Sequence, residues 1–243
     1  MSRIFAVTSG KGGVGKSTVA VGLASAFAAR ADKVLLVDMD EGFRCLDLML
    51  GIDSKTVFDL SDILGGKDID DAAYACDTVQ NLYLIPAASR QGLIDVQQFK
   101  EFAQKAACSF DIVIFDFPAG INLSLYCALP EDTIFLTVAV PDPISIRDAY
   151  QISRMLSECS LPARLIINRF IHKQSRRTGF KNIDSIIDSS GIRLLGIIPE
   201  SEDLAMLSVT HKLKKHCRSL SAFKRIAARL SGEQQLLPKL KKI

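Results

Sequence analysis

The sequence predicts one α/β domain built on a doubly wound, mostly parallel β-sheet with helices on both faces. Apolar runs of strand length, rich in β-branched residues, alternate along the chain with longer stretches at helical spacing. Several of these runs are apolar at every position, which is typical of strands buried on both faces of a parallel sheet. Strands that alternate with helices in this way are joined by crossover connections, and such connections build a doubly wound sheet.

The first half of the chain supplies four predicted strands and two predicted helices. Ile4–Thr8 is the first predicted strand. It is an apolar run of strand length, and Gly10 and Lys11 end the apolar stretch. The next segment, Lys16–Ala29, is predicted to be the first helix. The later elements are the strands Val34–Asp38, Leu82–Ile85 and Ile112–Asp116 and the helix Val96–Ala107.

The second half continues the alternation. Its predicted strands are Thr133–Val140, Ala163–Asn168 and Leu194–Ile198, and its predicted crossover helices are Ser145–Cys159 and Ile183–Ser189. A last helix is indicated by apolar residues at i, i+3, i+7 and i+10, namely Leu220, Phe223, Ala227 and Leu230. This spacing favours a helix docked on the core over a membrane element. The alternation alone does not give the order of the strands.

Length and charge predict a single domain with a basic tail. A chain of 243 residues can bury one large core, and residues 1–231 are predicted to form it. Residues 1–210 carry 20 Lys and Arg against 26 Asp and Glu, whereas residues 211–243 carry 10 against one. Residues 232–243 are therefore interpreted as a basic C-terminal tail.

The composition also predicts a cytoplasmic location. No basic region followed by an apolar run and a cleavage site opens the sequence, so no signal peptide is expected. The longest uncharged apolar stretch, Val19–Ala29, is far shorter than the roughly 18 to 20 residues that a membrane span requires. The six cysteines stand singly, with no C-x-x-C pair and no histidine at metal-binding spacing. They are expected to be reduced thiols.

A phosphate-binding loop is predicted between the first strand and the first helix. Residues 10–17, GKGGVGKS, fit the pattern G-x-x-x-x-G-K-[ST] in that structural context. Lys16 is predicted to contact the β- and γ-phosphates of a nucleotide, and the Ser17 hydroxyl to bind Mg²⁺. The predicted nucleotide-binding residues of this segment are Gly10, Lys11, Gly12, Gly13, Val14, Gly15, Lys16, Ser17 and Thr18.

Two aspartates extend this predicted site. Asp38 and Asp116 each end a buried apolar strand, so both emerge at a carboxyl end of the sheet, where α/β sheets bind ligands. One aspartate after a strand is usually a turn former, but two beside a phosphate-binding loop favour a site. With Ser17, they are the predicted metal-binding residues.

The loop contains a second lysine, Lys11, and this lysine is part of a resemblance to a known family. The form KGGVGK[ST] resembles the deviant Walker A motif of the MinD/ParA family of P-loop ATPases. Residues 38–51, DMDEGFRCLDLMLG, resemble the switch I stretch of the MinD branch, D-x-D-x-G-L-R-N-L-D-L-x-x-G, and residues 116–121, DFPAGI, resemble its switch II stretch. Residues 167–169 and 196–200 are similar to the two adenine-side segments. The resemblance covers residues 1 to about 210.

The resemblance implies a slow ATPase with Mg²⁺ as its metal. It implies three catalytic residues, of which Lys16 holds phosphate, Asp40 orients the attacking water, and Lys11 reaches phosphates bound by a partner subunit. ATP binding would then close a homodimer, and hydrolysis would open it. The adenine-side residues implied are Asn168, Arg169, Pro199 and Glu200. A guanine-selective N-K-x-D motif is absent from residues 168–171, NRFI, so ATP is expected rather than GTP.

The MinD branch further implies a biological role and partners. Its members cycle on and off the inner face of the cell membrane to place the division septum, together with MinC/MinE-type or other division regulators. Three positions depart from the branch pattern: Phe43 replaces Leu, Cys45 replaces Asn, and Asn122 stands where an acid is common. These positions lie in or beside the switch segments, so they bear on which regulators bind.

Other functions stay open at this point. A flagellar-number regulator has similar switch motifs, whereas ParA partition ATPases usually lack the stretch R-N-L-D-L. A DNA-binding role would use the basic cluster Arg169, Lys173, Arg176, Arg177 and Lys181. No aromatic stacking platform accompanies that cluster, so DNA is the less favoured partner. A small-molecule P-loop enzyme would need a substrate-binding constellation, and none is evident in the sequence.

The end of the tail carries the pattern of a short interfacial helix. Its apolar residues, the predicted membrane-facing set, are Leu236, Leu237, Leu240 and Ile243. Three lysines occupy the remaining surface, which favours anionic lipid. Two helical turns are too short to be stable in water, so the helix is expected to form on the membrane. A soluble basic tail is the alternative.

Overall fold

The computed structural model describes residues 2–172, 180, 182–211 and 217–238. Its centre is a sheet of eight strands within these residues, and seven of them form an unbroken parallel set. The strands are β1 (Arg3–Thr8), β2 (Val34–Asp38), β3 (Tyr74–Ala75), β4 (Leu82–Ile85), β5 (Ile112–Asp116), β6 (Ile134–Ala139), β7 (Ala163–Phe170) and β8 (Leu194–Pro199). The predicted fold class is therefore confirmed.

Helices cover both faces of this sheet. In chain order they are α1 (Lys16–Ala28), α2 (Leu46–Leu50), α3 (Leu60–Leu64), α4 (Ile69–Ala72), α5 (Val96–Ser109), α6 (Leu123–Ala128), α7 (Pro143–Glu158), α8 (Ile183–Ser190), α9 (Glu202–Ala205), α10 (Leu207–Thr210) and α11 (Arg218–Leu230). A 3₁₀ turn at Asp53–Lys55 lies between α2 and α3. The long helices were predicted from the sequence, whereas the helices of four to six residues were not.

The strand order brings the predicted site residues together. It is β3-β4-β2-β5-β1-β6-β7-β8, with only the short edge strand β3 antiparallel to its neighbour. β5 therefore lies between β2 and β1, and Asp116 is in register with Asp38 on one side and with Val7 on the other. The loop after β1 and the ends of β2 and β5 consequently meet at one edge of the sheet.

The core lies on both faces of the sheet. On one face α1 packs under α11, and the Phe5 and Phe27 rings stack with their centroids 5.4 Å apart. On the other face an aromatic cluster links α5, α6 and the end of β5, with Phe99, Phe115 and Phe117 in mutual contact. Burial of these side chains is the main favourable contribution to folding, at about 1.5 to 3 kcal/mol for each large apolar side chain.

The predicted last helix is confirmed as a helix docked on the core. Phe223 is fully buried, and a Cβ atom at Gly22 of α1 would overlap its ring. Gly196 of β8 is crossed as closely by Ile226. Glycine is required at both positions because α11 lies directly against the backbone of α1 and β8.

Several predicted boundaries were wrong by one or two residues. β1 begins one residue earlier than predicted, and β6 is one residue shorter at each end. β7 extends to Phe170, beyond the predicted end at Asn168, because a register shift between Ile167 and Phe170 lets Phe170 pair with Pro199. Asn168 and Arg169 therefore lie within a strand rather than at its end.

Among the described residues, no helix combines the length and the hydrophobicity that crossing a membrane requires. The segment after α11 is held against the domain by its first residues. Arg3 donates to the Ser231 hydroxyl at 2.6 Å, Arg30 pairs with Glu233, and the Arg229 Nε donates to the Gln235 carbonyl at 2.8 Å.

Candidate nucleotide site

The loop between β1 and α1 has the backbone shape of a phosphate cradle. Gly13 and Gly15 adopt φ angles of 79° and 83°, which an L side chain would strain. The loop is tied to switch II (residues 116–121) because the Gly120 N–H donates to the Ser9 carbonyl at 2.9 Å. Lys16 is the first residue of α1, so the unpaired N–H groups of the helix N-terminus face the cradle.

Lys16 forms a buried ion pair across the site. Its Nζ donates to Asp116 Oδ1 at 2.8 Å, and both side chains are nearly inaccessible to solvent. The same Nζ lies 3.3 Å from the Ser17 hydroxyl. Asp116 Oδ2 is buried and accepts no hydrogen bond from the protein. A buried carboxylate oxygen without a partner is costly, so this atom is available to a bound cation or to its water shell.

The donor set fits Mg²⁺ held mainly by a nucleotide. Ser17 supplies a hydroxyl and Asp116 a carboxylate oxygen, which are the hard oxygen ligands that Mg²⁺ prefers. Within the described ranges, no cluster of three or more His, Cys, Asp or Glu side chains could hold a metal by itself. Mg²⁺ commonly keeps its waters and is bound through one or two protein groups together with phosphates, so the small donor set is sufficient.

Asp38 is engaged with the backbone of switch I (residues 38–51). Its Oδ1 accepts from the Asp40 N–H at 3.0 Å, and its Oδ2 accepts from the Cys45 and Leu46 N–H groups at 3.3 Å each. Burial and the neighbouring Asp116 carboxylate raise the pKa of Asp38 to about 7. In this structure its carboxylate holds the start of α2, and its metal-binding role stays a prediction.

Asp40 lies at the solvent boundary of the same site. Its side chain is partly exposed. Burial raises the pKa of Asp40, Lys16 opposes that rise, and Asp116 adds to it. The role of Asp40 in orienting the attacking water stays a prediction.

Lys11 differs from Lys16 in its exposure to solvent. It is exposed at the first turn of the loop, whereas Lys16 is buried beneath it. The loop lies close to α7, since a Cβ atom at Gly10 would be 2.7 Å from Asp148 Cβ. The position of Lys11 at the surface leaves its ammonium group accessible to another molecule.

In the sequence, Cys45 stands out only because it replaces the Asn of the family pattern. It directly precedes α2, and its backbone N–H donates to Asp38 Oδ2 at 3.3 Å. Burial, followed by the Asp38 charge, raises the pKa of Cys45 to about 12, so the group is a neutral thiol at physiological pH. Switch I also contacts α1, because α2 packs against that helix.

A cavity of about 140 Å³ lies beside the loop on the β7–β8 side. It is lined by all four predicted adenine-side residues and by the loop residues Gly15 and Thr18. The sequence analysis missed three further lining residues, which are Ser201, Leu204 and Ala205. They follow directly after the predicted segment 196–200, but their residue types give no signal of ligand contact.

The structure limits the hydrogen bonds that the Asn168 side chain can offer to a ligand. The resemblance implied that it is an adenine-side residue. Its Nδ2 donates to the Val14 carbonyl at 2.8 Å, which leaves the buried Oδ1 without a protein partner. The side chain can therefore accept a hydrogen bond from a ligand amino group, while its own amide group supports the phosphate loop. Arg169 beside it has a φ of 53°.

The remaining predicted sites lie partly outside the described residues. Of the predicted DNA-contacting cluster, only Arg169 is described; Lys173, Arg176, Arg177 and Lys181 lie outside the described residues. Leu240 and Ile243 of the predicted membrane-facing set also lie outside them. Leu236 is 90% exposed and Leu237 is 42% exposed, in a stretch with no helix.

Comparison with known proteins gives concordant results. The family model of the CobQ/CobB/MinD/ParA nucleotide-binding domain matches residues 5–214. The septum site-determining protein MinD of Thermotoga maritima is 31% identical over 242 residues, which cover 96% of this chain and 89% of that protein.

Solved structures agree with the family match. The MinC:MinD cell division protein complex of Aquifex aeolicus contains a chain similar to this one, with a TM-score of 0.87 and 29% identity over 98% of this chain and 99% of that one. The MinD protein of Pyrococcus horikoshii complexed with Mg-ADP gives a TM-score of 0.82 and 26% identity, over 95% of this chain and 96% of that one. The similarity therefore extends over the whole domain.

Proposed function

Because this chain belongs to the CobQ/CobB/MinD/ParA nucleotide-binding family, and within it to the septum site-determining MinD proteins, we propose that it is an ATP-dependent switch that places the division septum. The family is one of P-loop ATPases. In the proposed cycle the ATP-bound chain forms a homodimer on the inner face of the cell membrane. Slow hydrolysis then opens the dimer and releases it.

One observation supports dimerisation as a step of the proposed cycle. The loop of one chain carries the buried Lys16, and it also has an exposed second lysine at Lys11. Among the described residues, Lys16 is the one buried cation, and it lies in the cradle of its own chain. An additional cation on the surface is therefore suited to phosphates bound by a second copy.

The residues of this chain have defined roles in the proposed reaction. Lys16 would move from Asp116 to the β- and γ-phosphates, Asp40 would orient the attacking water, and the partner subunit's Lys11 would offset developing negative charge. Mg²⁺, when bound, would withdraw charge from the phosphate oxygens and would be held by Ser17 and Asp116, with Asp38 near it. Asn168 would accept from the amino group of adenine.

The proposed regulators are proteins of the MinC or MinE type. A structure of a MinC:MinD complex is among the similar structures, which supports a MinC-like partner for this chain. Switch I exposes two large apolar side chains, with Phe43 66% exposed and Leu48 50% exposed. Surface apolar groups on a segment that responds to nucleotide are suited to a partner that distinguishes nucleotide states.

The membrane contact is proposed to involve the tail. Leu236 and Leu237 follow the anchored residues Ser231, Glu233 and Gln235, and both are accessible. A single tail with four apolar residues and three lysines binds anionic lipid weakly. Two tails in a dimer bind more tightly by roughly 10²-fold or more, because the second contact is intramolecular.

Co-sedimentation with anionic liposomes tests this function. We expect binding in the presence of a non-hydrolysable ATP analogue, weaker binding with ADP, and a decrease as salt rises. Removal of residues 234–243 should abolish the binding. Leu236→Glu should weaken it at least about tenfold. Val209→Glu is the matched control, because Val209 is 65% exposed but lies outside the tail.

Two outcomes would contradict the proposal. The first is liposome binding that is unchanged by the truncation, since another surface would then carry the contact. The second is nucleotide-dependent binding to DNA in the absence of liposome binding, which would support a partition-type role instead.

A further inference from the structure

Two arginines share a groove between α11, β8 and the beginning of the tail. Arg225 and Arg229 are four residues apart on α11, so they lie on the same face of that helix. They line the groove together with Leu236 and Leu237 of the tail. Both arginine side chains are partly exposed. The groove therefore combines two cations that solvent can reach with two large apolar side chains.

Arg229 donates hydrogen bonds to neutral acceptors. Its Nε donates to the Gln235 carbonyl at 2.8 Å, its Nη2 donates to the same oxygen, and its Nη1 donates to the Leu195 carbonyl. Two neighbouring N–H groups of the guanidinium thus converge on a single oxygen. A group with two oxygens, such as a carboxylate or a phosphate, matches this planar fork better than one carbonyl does.

The described residues supply no acidic partner for either arginine. Arg225 makes no hydrogen bond and no ion pair with any of them. α11 carries four Lys and Arg side chains and no Asp or Glu. Glu233 is the one acid in residues 211–243, and it pairs with Arg30. The positive charges of Arg225 and Arg229 are therefore uncompensated within the described part of the chain.

The surroundings of the groove disfavour these two charges as long as no anion is bound. Burial lowers the pKa of Arg225, and burial followed by the charge of Arg225 lowers the pKa of Arg229. Both guanidinium groups stay protonated at neutral pH. An anion between them would offset their repulsion and would accept the hydrogen bonds that neutral carbonyls now accept.

We propose that Arg225 and Arg229 bind the phosphate group of an anionic phospholipid. This rests on the proposed function, because it adds a headgroup contact to the apolar contact of the tail. Two phosphate oxygens would replace the Gln235 carbonyl on Arg229 and would also accept from Arg225. The acyl chains would lie against Leu236 and Leu237, which are 90% and 42% exposed. Apolar side chains beside the cations favour a lipid over free phosphate.

Binding of the headgroup would release the tail from the domain. The free volume of the groove is about 10 Å³, which is room for about one water molecule. A phosphate group can therefore reach Arg229 only when the Gln235 carbonyl leaves it. Loss of that contact would free the residues after Gln235 to fold on the membrane. Neither the arginine pair nor the tail would then be sufficient alone.

Nuclear magnetic resonance of the full chain, labelled with ¹⁵N-arginine and saturated with Mg-ADP, tests the site without vesicles. The probe is dihexanoyl phosphatidylglycerol, used below its micelle-forming concentration. We expect the Nε–H resonances of Arg225 and Arg229 to shift with one shared dissociation constant. Arg154 is the internal control, because it pairs with Glu158 on α7 and its resonance should not move.

Glycerol 3-phosphate separates a lipid site from a free-phosphate site, because it carries a phosphate group without acyl chains. We expect it to require a concentration at least about tenfold higher than the lipid for the same shifts. Equal or tighter binding of glycerol 3-phosphate would overturn the assignment to lipid. A DNA duplex that shifts both resonances at a lower concentration than the lipid would overturn it as well.

Vesicles of phosphatidylglycerol and phosphatidylcholine test whether the guanidinium fork matters beyond its charge. With a non-hydrolysable ATP analogue present, Arg225→Lys should co-sediment at least about tenfold more weakly than wild type, because the charge is kept but the fork is lost. Lys224→Arg is the matched control at the neighbouring exposed position and should bind within about twofold of wild type. Wild-type binding of Arg225→Lys would contradict the proposed site.

The two measurements also separate this site from the proposed switch. Vesicle binding that needs no ATP analogue, with the arginine resonances still shifting, would refute the switch and support the site. Unshifted arginine resonances in a protein whose vesicle binding still depends on the analogue would refute the site and leave the switch standing.

Discussion

At the scale of single residues, the two lysines of the loop divide the proposed chemistry between two subunits. Lys16 is buried and bonded to Asp116, so its removal changes the cradle itself. Lys11 is exposed and lies outside that buried network. The two substitutions should therefore affect different steps.

The first prediction concerns these lysines. Lys16→Ala should weaken ATP binding by about 10- to 100-fold, because a charge-assisted hydrogen bond to phosphate is lost. Lys11→Ala should bind ATP within about threefold of wild type and fail to form the ATP-dependent dimer. Calorimetry measures the affinity, and size-exclusion chromatography with a non-hydrolysable analogue measures the dimer. A Lys11→Ala protein that dimerises fully would eliminate the role across the interface.

The second prediction concerns Asp40. Its side chain is partly exposed and, among the described residues, makes no hydrogen bond to the phosphate loop, so Asp40→Ala should bind ATP and dimerise. Hydrolysis should fall by about 10² to 10⁴, the usual contribution of a group that activates water. Single-turnover kinetics measures this step, with Asp53→Ala as a control at an exposed aspartate. Wild-type turnover in Asp40→Ala would remove Asp40 from the mechanism.

The sequence predicted most of this site but not its internal contacts. A loop motif fixes residue types at fixed spacing, so Lys16, Ser17 and the flanking glycines are recognisable without a structure. The bond from Asn168 to Val14 and the bond from Lys16 to Asp116 join segments that are distant in the sequence. Such contacts depend on tertiary packing, which local patterns do not encode.

At the scale of elements, α11 supports the helix that begins at the phosphate loop. Phe223→Ala should destabilise the protein by about 3 to 5 kcal/mol, because a fully buried ring is replaced by a cavity over Gly22. Thermal unfolding should show a Tm lower by roughly 10 °C. Phe43→Ala is the control, since Phe43 is 66% exposed and its change should cost less than about 0.5 kcal/mol. Equal losses in the two variants would contradict the packing described for α11.

Long elements were predictable and short ones were not, for a physical reason. α5 and α7 each present several turns, so their apolar residues repeat often enough to be detected. α2 has five residues, and its first N–H groups are satisfied by Asp38 from another element. A helix that is begun by a tertiary contact leaves no periodic signal.

At the scale of the whole molecule, the order of the strands creates the site. Alternation of strands and helices allows many orders, so the placement of β5 between β2 and β1 was not predictable from the pattern. That placement puts Asp38 and Asp116 side by side and next to the loop after β1. The predicted pairing of the two aspartates with the loop is therefore a property of the topology.

The ion pair between Lys16 and Asp116 has a thermodynamic consequence for the ligands of this site. A phosphate group that takes Lys16 releases the Asp116 carboxylate, which then attracts a divalent cation more strongly. A cation that takes Asp116 releases Lys16 in the same way. Linkage requires the two effects to be equal, so nucleotide and Mg²⁺ raise each other's affinity by the same factor. A free nucleotide and a free metal ion would each bind weakly, and the site would select their complex.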